Sequence, residues 1–176
     1  EKLGPEQTRR WVEFFDPSRY LPGVACPILF VNGTNDFAYP LDSYRASYRL
    51  VRAPVTIRIE ERMPHSHAHG WAPQEIGIFA DGILRGGDPL AVLGPLVVTD
   101  GRAWAKFTAV VPLVGGRLHF TADGGKWQDR AWESRAARLE GGTVAAELPA
   151  ARPLVCYLSV TDVRGAMVST EHVELP

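Results

Sequence analysis

The hydrophobic residues in the first half of the chain follow helical spacing in some segments and strand spacing in others. Three segments repeat apolar residues every three or four positions, and Pro5 stands at a favoured first helical position. Between them lie a continuous apolar run and a segment of strict apolar–polar alternation, which predict strands. In chain order the segments are "GPEQTRRWVEFF" (4–15), "PILFV" (27–31), "LDSYRASYRLV" (41–51), "VTIRIE" (55–60) and "PQEIGIFADGILRGG" (73–87). This order predicts an α/β domain with a parallel sheet over residues 1–90.

The second half, residues 91–176, shows strand patterns alone. Short segments of alternating residues are separated by turns such as Asp123-Gly124-Gly125. The segments are "LVVT", "AWAKFTAVV", "RLHFTAD", "AWESRAARL", "TVAAELP", "LVCYLSVT" and "AMVSTEHVEL". About seven short strands without a helix are typical of an immunoglobulin- or fibronectin-like β-sandwich. We therefore predict a second domain over residues 91–176.

Two parallel strands are too few for the sheet predicted in residues 1–90. Parallel strands normally have neighbours on both sides and helices on both faces. We therefore expect the first half to be the C-terminal portion of a larger α/β domain whose earlier strands are not in this chain.

Composition excludes several classes of partner. The 176 residues are 45% hydrophobic and 22% charged, with a formal net charge of -1. A nucleic-acid or membrane-surface protein would need clustered positive charge, and no apolar run is long enough to span a bilayer. We expect no nucleic-acid partner and no membrane partner.

Polar segments follow both predicted strands of the first half. "GTNDFAYP" (33–40) follows the first strand and contains Asp36, and "MPHSHAHGW" (63–71) follows the second. Catalytic groups of parallel sheets lie at the carboxyl ends of strands, so an acid and a histidine at these positions can meet. A carboxylate that accepts the imidazole Nδ1–H orients the ring and stabilises its protonated form. Asp36 is also a favoured turn residue, so a purely local role remains the alternative.

The nucleophile that such a pair would activate is missing. α/β-Hydrolases place nucleophile, acid and histidine in that chain order, so the nucleophile should lie upstream. No serine of this chain stands in a G-x-S-x-G turn, and both cysteines lie at or inside predicted strands. We expect the chain alone to be inactive.

The residues "PILFVNGTNDFAYPLDSY" and "MPHSHAHGWAPQEIGIFADGIL", followed by a β-rich tail, resemble the C-terminal part of an α/β-hydrolase. The most similar branch comprises the acetyl-xylan-esterase-like and prolyl-oligopeptidase-like hydrolases, together with the PhoPQ-activated pathogenicity-related proteins. The resemblance implies the C-terminal portion of an α/β-hydrolase parallel sheet, followed by the β-sandwich. It also implies Asp36 as triad acid and His65 as triad base, with His67 as the rival.

The same resemblance implies a function for the complete protein. It would be a serine hydrolase that cleaves an ester or amide through an acyl-enzyme, without a cofactor. The nucleophile would come from the missing N-terminal hydrolase segment, in the same polypeptide or as a second chain. The substrate would be a small-molecule ester or a peptide, and the family is compatible with a secreted or periplasmic location.

Several further residues are candidates for binding. Phe37, Tyr39 and Trp71 stand beside the acid and the histidines and could line a substrate pocket, although a tryptophan at position 71 would more commonly pack beneath the histidine segment and fix it. His65, His67 and His69 would share one face of an extended strand and could bind zinc, but no acid or cysteine in the motif completes that set. We therefore predict no metal.

A non-catalytic binding module is the alternative function. In that interpretation the hydrolase-like part has lost its chemistry, and the β-sandwich contacts carbohydrate or another protein. Trp104, Trp127 and Trp132 could stack on sugars, although tryptophans of a sandwich more often pack in its core.

Overall fold

The three helices and two strands predicted for the first half form close to the predicted boundaries, and a short fourth helix, His67–Trp71, forms where no helix was predicted. The computed structural model describes residues 3–176, so positions 1 and 2 of the predicted first domain lie outside the described residues. The helices are α1 (Pro5–Phe15), α2 (Leu41–Tyr48), α3 (His67–Trp71) and α4 (Glu75–Leu84). Strands β1 (Ile28–Gly33) and β2 (Val55–Glu60) pair in parallel, with Ile28 opposite Val55 and Gly33 opposite Glu60.

Nine strands follow in the second half: each predicted segment contributes one or two, and the first strand, Val92–Leu93, was not predicted. They are β3 (Val92–Leu93), β4 (Val97–Thr99), β5 (Arg102–Thr108), β6 (Leu113–Thr121), β7 (Glu133–Glu140), β8 (Thr143–Glu147), β9 (Leu154–Asp162), β10 (Met167–Ser169) and β11 (Val173–Leu175). The last predicted segment is divided into β10 and β11, which both pair with β9.

The α/β-hydrolase parallel sheet predicted from the sequence is wrong. The strands form one sheet in the order β1-β2-β10-β9-β6-β7-β8-β5-β3, and only the β1–β2 pair is parallel. The molecule is mostly β, with only 25% helix, and the sheet curls into a half-barrel. A β-sandwich remains compatible with the strands of the second half.

A strand from the end of the chain explains this difference. The edge of β2 that faces away from β1 pairs with β10, antiparallel, with Ser169 opposite Ile57. The Ser169 hydroxyl adds a side-chain bond by accepting from the Ile59 backbone N–H at 3.1 Å. An unpaired strand edge exposes backbone groups that need partners, and here an antiparallel strand supplies them. The alternation of helices and strands along the first half contains no information about this long-range pairing.

The hydrophobic core also joins the two halves. One cluster combines residues of α2 and β2 with residues of the second half: Leu41, Tyr44, Tyr48, Ile59, Trp127, Trp132, Val155 and Tyr157. A larger cluster lies among β5, β6, β8, β9 and β10. Asn35, just after β1, also donates to the Trp127 carbonyl, so the carboxyl end of β1 lies against the Trp127–Asp129 turn. The division at residue 90 stays a prediction.

Candidate active site

The Asp36 carboxylate makes a local turn and a long-range bond at the same time. Its Oδ1 accepts the backbone N–H groups of Ala38 and Tyr39, each at 2.8 Å. Its Oδ2 lies 2.8 Å from His65 Nδ1. An ionised carboxylate only accepts, so Nδ1 carries the proton and Nε2 is left with its lone pair when the ring is neutral. Asp36 therefore forms its turn through Oδ1 and orients the histidine through Oδ2, so the two interpretations of Asp36 are compatible.

These contacts keep Asp36 ionised although it is buried. Burial acts to raise the pKa of Asp36, but the hydrogen bonds from His65, Tyr39 and Ala38 together outweigh it. The pKa of Asp36 consequently lies below its ordinary value of 3.8. Near neutral pH the Asp36 carboxylate is therefore negatively charged and accepts the Nδ1–H of the imidazole.

The segment that carries Asp36 (33–40), here called the acid loop, is fixed to the second half of the chain. Asn35, next to Asp36, donates from Nδ2 to the backbone carbonyls of Gln128 at 3.1 Å and Arg130 at 2.8 Å. Asn32 donates from Nδ2 to the Tyr39 carbonyl at 2.7 Å and closes the other end of the loop. These bonds make the position of Asp36 depend on residues far away in sequence.

The histidine segment approaches the acid loop very closely. A Cβ atom on Gly33 would lie 2.5 Å from the Met63 carbonyl oxygen, so only glycine fits there. The Thr34 hydroxyl accepts the Arg62 N–H at 2.9 Å, and Arg62 has a positive φ of 54°. This conformation turns the chain sharply after β2, and His65 follows three positions later.

In the part of the chain that the structure describes, His67 and His69 make no hydrogen bond to the acid, although His67 lines the same cleft. His67 is the first residue of α3, and the Ser66 hydroxyl caps that helix by accepting the His69 N–H at 3.2 Å. The same hydroxyl lies 2.7 Å from His69 Nδ1. Because α3 is helical, the extended strand that would align the three histidines does not form. Within residues 3–176 no group of three histidine, cysteine, aspartate or glutamate side chains is arranged to hold a metal ion.

An open cleft of about 370 Å³ lies beside the Asp36–His65 pair. His65, Tyr39, Met63 and Trp71 contribute to its walls. The rings of Phe37 and Tyr39 lie 4.9 and 5.9 Å from the imidazole, centroid to centroid. Trp71 is 76% exposed, so it does not pack beneath the histidine segment. The exposed rings of Tyr39 and Trp71 thus line the cleft, where an acyl or leaving group could contact them, while Phe37 lies beside the imidazole but outside the walls of the cleft.

No nucleophile reaches His65 from the described residues. Among residues 3–176, Asp36 is the only hydrogen-bond partner of the His65 ring, and no serine or cysteine bonds to it. Ser66 lines the same cleft but serves as the α3 cap. Both cysteines are free, Cys26 exposed and Cys156 buried.

A second acid–histidine–serine group was not anticipated from the sequence. Glu61, His119 and Ser159 form a hydrogen-bonded chain: His119 Nδ1 lies 2.5 Å from Glu61 Oε1, and Nε2 lies 2.8 Å from Ser159 Oγ. The residues belong to three separate segments with no motif spacing. In β6 the successive residues Leu118, His119 and Phe120 are all buried. Alternation of inward and outward positions along a strand therefore could not have indicated that His119 is buried.

The tryptophans of the second half do not form an exposed stacking face. Trp127 and Trp132 are buried, and Trp104 is half-buried. Arg130 covers the Trp127 ring at 3.7 Å, and His172 packs edge-on against it. A sugar would have to displace these contacts before it could stack on Trp127.

Comparisons with known proteins do not assign the chain to a family. No family model matches it, and a search of curated proteins finds no match. No helix of the described residues is long and apolar enough to cross a membrane.

Proposed function

We propose that this chain supplies the acid and base of a serine hydrolase, with Asp36 as acid and His65 as base. The observation that carries the proposal is the 2.8 Å contact between Asp36 Oδ2 and His65 Nδ1, with the acid buried and the imidazole open to a cleft. A structural ion pair would not need a half-exposed imidazole beside an open cleft. This arrangement is the one that a base requires for contact with an external hydroxyl.

The proposed chemistry begins at His65 Nε2. This nitrogen would take the proton of a serine hydroxyl from the missing N-terminal hydrolase segment while the serine oxygen bonds to the acyl carbon. The protonated imidazole, stabilised by Asp36, would return the proton to the departing alcohol or amine. A water molecule would then give a proton to His65 Nε2 while its oxygen bonds to the acyl carbon. The protonated imidazole would return the proton to the serine oxygen as the bond between serine and the acyl group breaks. Oxyanion donors would also come from the missing segment.

The cleft supports the substrate part of the proposal. Phe37, Tyr39 and Trp71 provide apolar contact area next to His65, while charged side chains other than Asp36 and the histidines are absent from its described walls. A small-molecule ester or a peptide fits these walls better than a polyanion. No residue of the cleft reads the acyl group, so the proposal covers both ester and amide.

The first experiment measures intact mass under denaturing conditions, before and after treatment with a fluorophosphonate probe. The chain is isolated from its native source together with any polypeptide bound to it. We expect a polypeptide other than the 19.3 kDa species, or a longer one that contains it, to gain the mass of the probe. His65→Ala should abolish labelling because the nucleophile loses its base.

His67→Ala is the matched control, since His67 is exposed, lies two positions away and lines the same cleft, whereas the hydrogen bond to Asp36 comes from His65. It should keep wild-type labelling. Labelling that survives His65→Ala but not His67→Ala would reverse the assignment of the base. A single 19.3 kDa species that stays unlabelled would contradict the proposal and favour the non-catalytic module that contacts carbohydrate or protein.

A further inference from the structure

The Glu61–His119–Ser159 chain begins two residues before the histidine segment. Glu61 is the first residue after β2, and His65 follows in the same loop. His119 belongs to β6 and Ser159 to β9, two neighbouring central strands of the sheet. The group therefore links the loop that carries His65 to the most extensively paired part of the molecule.

This group has triad-like distances but is not a second active site. Ser159 is 1% exposed and His119 is 5% exposed, so no substrate carbonyl can approach the Ser159 hydroxyl. A nucleophile must be reachable by the reacting carbon at contact distance. The group must instead have a structural role, in which its hydrogen bonds hold neighbouring segments in place.

The His119 ring is held rigidly. Both ring nitrogens have partners, and the ring stacks on Tyr157 with centroids 4.4 Å apart and planes inclined by 6°. Burial lowers the pKa of His119, although Glu61 acts to raise it, so the ring is neutral near pH 7. Neutral His119 then donates from Nδ1 to the Glu61 carboxylate and accepts from Ser159 at Nε2.

The loop from Glu61 to His65 has few other anchors. Arg62 donates its N–H to Thr34, and Met63 lies against Gly33, but both of these partners belong to the acid loop itself. The Glu61–His119 bond ties the residue that follows β2 to the central sheet. Without it, the segment from Glu61 to His65 would depend on its contacts with the acid loop.

We propose that His119 is a positioning residue for His65: by holding Glu61 it fixes the loop that places His65 Nδ1 on Asp36. This inference rests on the proposed function, because it gives His119 a role in the same acid–base pair. It predicts that the Asp36–His65 bond weakens when the Glu61–His119 bond is cut, even though neither partner touches Asp36 or His65.

The test follows the titration of the Asp36 carboxyl by ¹³C NMR in the chain. In His65→Ala the titration midpoint should rise, because the Asp36 carboxylate loses its side-chain donor. Glu61→Ala should raise the midpoint by at least half of that shift. His119→Leu should have the same effect, whereas His119→Asn should restore the wild-type midpoint because its side-chain amide can donate to Glu61 in place of Nδ1.

Ser159→Ala is the matched control for a purely structural effect. It removes the other partner of the same ring and should lower stability, but it leaves the Glu61 bond and should keep the wild-type midpoint. A midpoint shift in Ser159→Ala as large as that in Glu61→Ala would indicate general loosening and overturn the inference.

The two hypotheses fail in distinguishable ways. One outcome is that the Asp36 titration midpoint shifts in His65→Ala but keeps its wild-type value in Glu61→Ala and His119→Leu. This would overturn the positioning role and leave the proposed function standing. No shift in His65→Ala would overturn the Asp36–His65 pair and the proposed function with it. If His119→Leu does not fold, Glu61→Ala decides, because Glu61 is partly exposed and its loss leaves the core intact.

Discussion

At the scale of single residues, the buried histidines differ in how their ring nitrogens are satisfied. His119 has a partner on each nitrogen, whereas His172 is fully buried and neither of its ring nitrogens has a hydrogen-bond partner. Its Nε2 lies 3.8 Å from Glu174 Oε1, too far for a hydrogen bond. Burial, with the nearby positive charge of Arg45, lowers the pKa of His172 from 6.5 to about 3.

This lowered pKa predicts a pH-dependent stability. Below pH 6.5, the ordinary pKa of histidine, His172 is protonated in the unfolded chain. In the folded chain it becomes protonated only near pH 3. Stability should therefore fall as the pH falls through this window, by about 1.4 kcal/mol per pH unit from this residue. His172→Phe should remove that part of the slope in urea unfolding measured from pH 7 to pH 4.

The control for this prediction is Val173→Ala, which truncates the adjacent residue without changing any titratable group. Its loss of stability should be the same at each pH. An unchanged pH slope in His172→Phe would show that His172 is protonated in the folded chain and would contradict the buried, unpartnered geometry.

At the scale of elements, the end of β1 is built around one close approach. Gly33 and Met63 are so near that an added Cβ would meet the Met63 carbonyl at 2.5 Å. Real Cβ atoms are not found at this distance, and backbone cannot move aside as a side-chain tip can. The small residue at the end of β1 is therefore a requirement of the contact between the acid loop and the histidine segment.

Gly33→Ala should consequently push the histidine segment away from Asp36. We expect a loss of about 1–3 kcal/mol in the free energy of unfolding, as overpacking usually costs, and a raised Asp36 titration midpoint. Gly77→Ala is the control: Gly77 lies in α4 with nothing within 4 Å of an added Cβ. That change should stabilise the chain by about 0.5–1 kcal/mol, because alanine is the better helix former. Equal effects of the two changes would contradict this account.

At the scale of the whole molecule, Glu75 joins both halves of the chain. It lies in α4 and is 2% exposed; its Oε1 accepts the Met167 N–H of β10 at 2.7 Å. Its Oε2 lies 2.9 Å from Arg58 Nε of β2, although this contact is poorly aligned for a hydrogen bond, so charge attraction dominates it. One carboxylate therefore connects the helix to both strands at the junction of the parallel pair with the antiparallel sheet.

Glu75→Ala should destabilise the chain by about 1–3 kcal/mol, because the Met167 N–H loses its acceptor, while Arg58 keeps Glu60 as a partner at 2.6 Å. Chemical unfolding measures the loss, and Glu75→Gln, which keeps an acceptor for Met167, should lose less. Asp81→Ala, on the same helix, breaks the exposed Asp81–Arg85 pair and should cost under about 1 kcal/mol. A Glu75→Ala effect no larger than that of Asp81→Ala would show that this junction is not held by the buried pair.

The local features of this protein were readable from the sequence because they depend on neighbours along the chain. The apolar pattern predicted β1, β2 and the three longer helices around them to within a few residues, since each element must turn an apolar face inward. The placement of Asp36 and of the histidine segment after consecutive strands also predicted their proximity, because parallel strands end at the same edge. In the structure the side chains of Asp36 and His65 are in contact. Their catalytic roles stay a proposal.

Tertiary structure alone decided the architecture and the second polar group. The pairing of β2 with β10, and with it the mostly antiparallel sheet, depends on which distant strand covers an open edge, and any strand of suitable length satisfies the same backbone groups. The choice between His65 and His67 as partner of Asp36 depended on where α3 begins. The Glu61–His119–Ser159 chain required three segments to converge in the core. Sequence determined which segments become helices and strands, because that preference is local; folding decided which of them meet, because backbone pairing is indifferent to sequence distance.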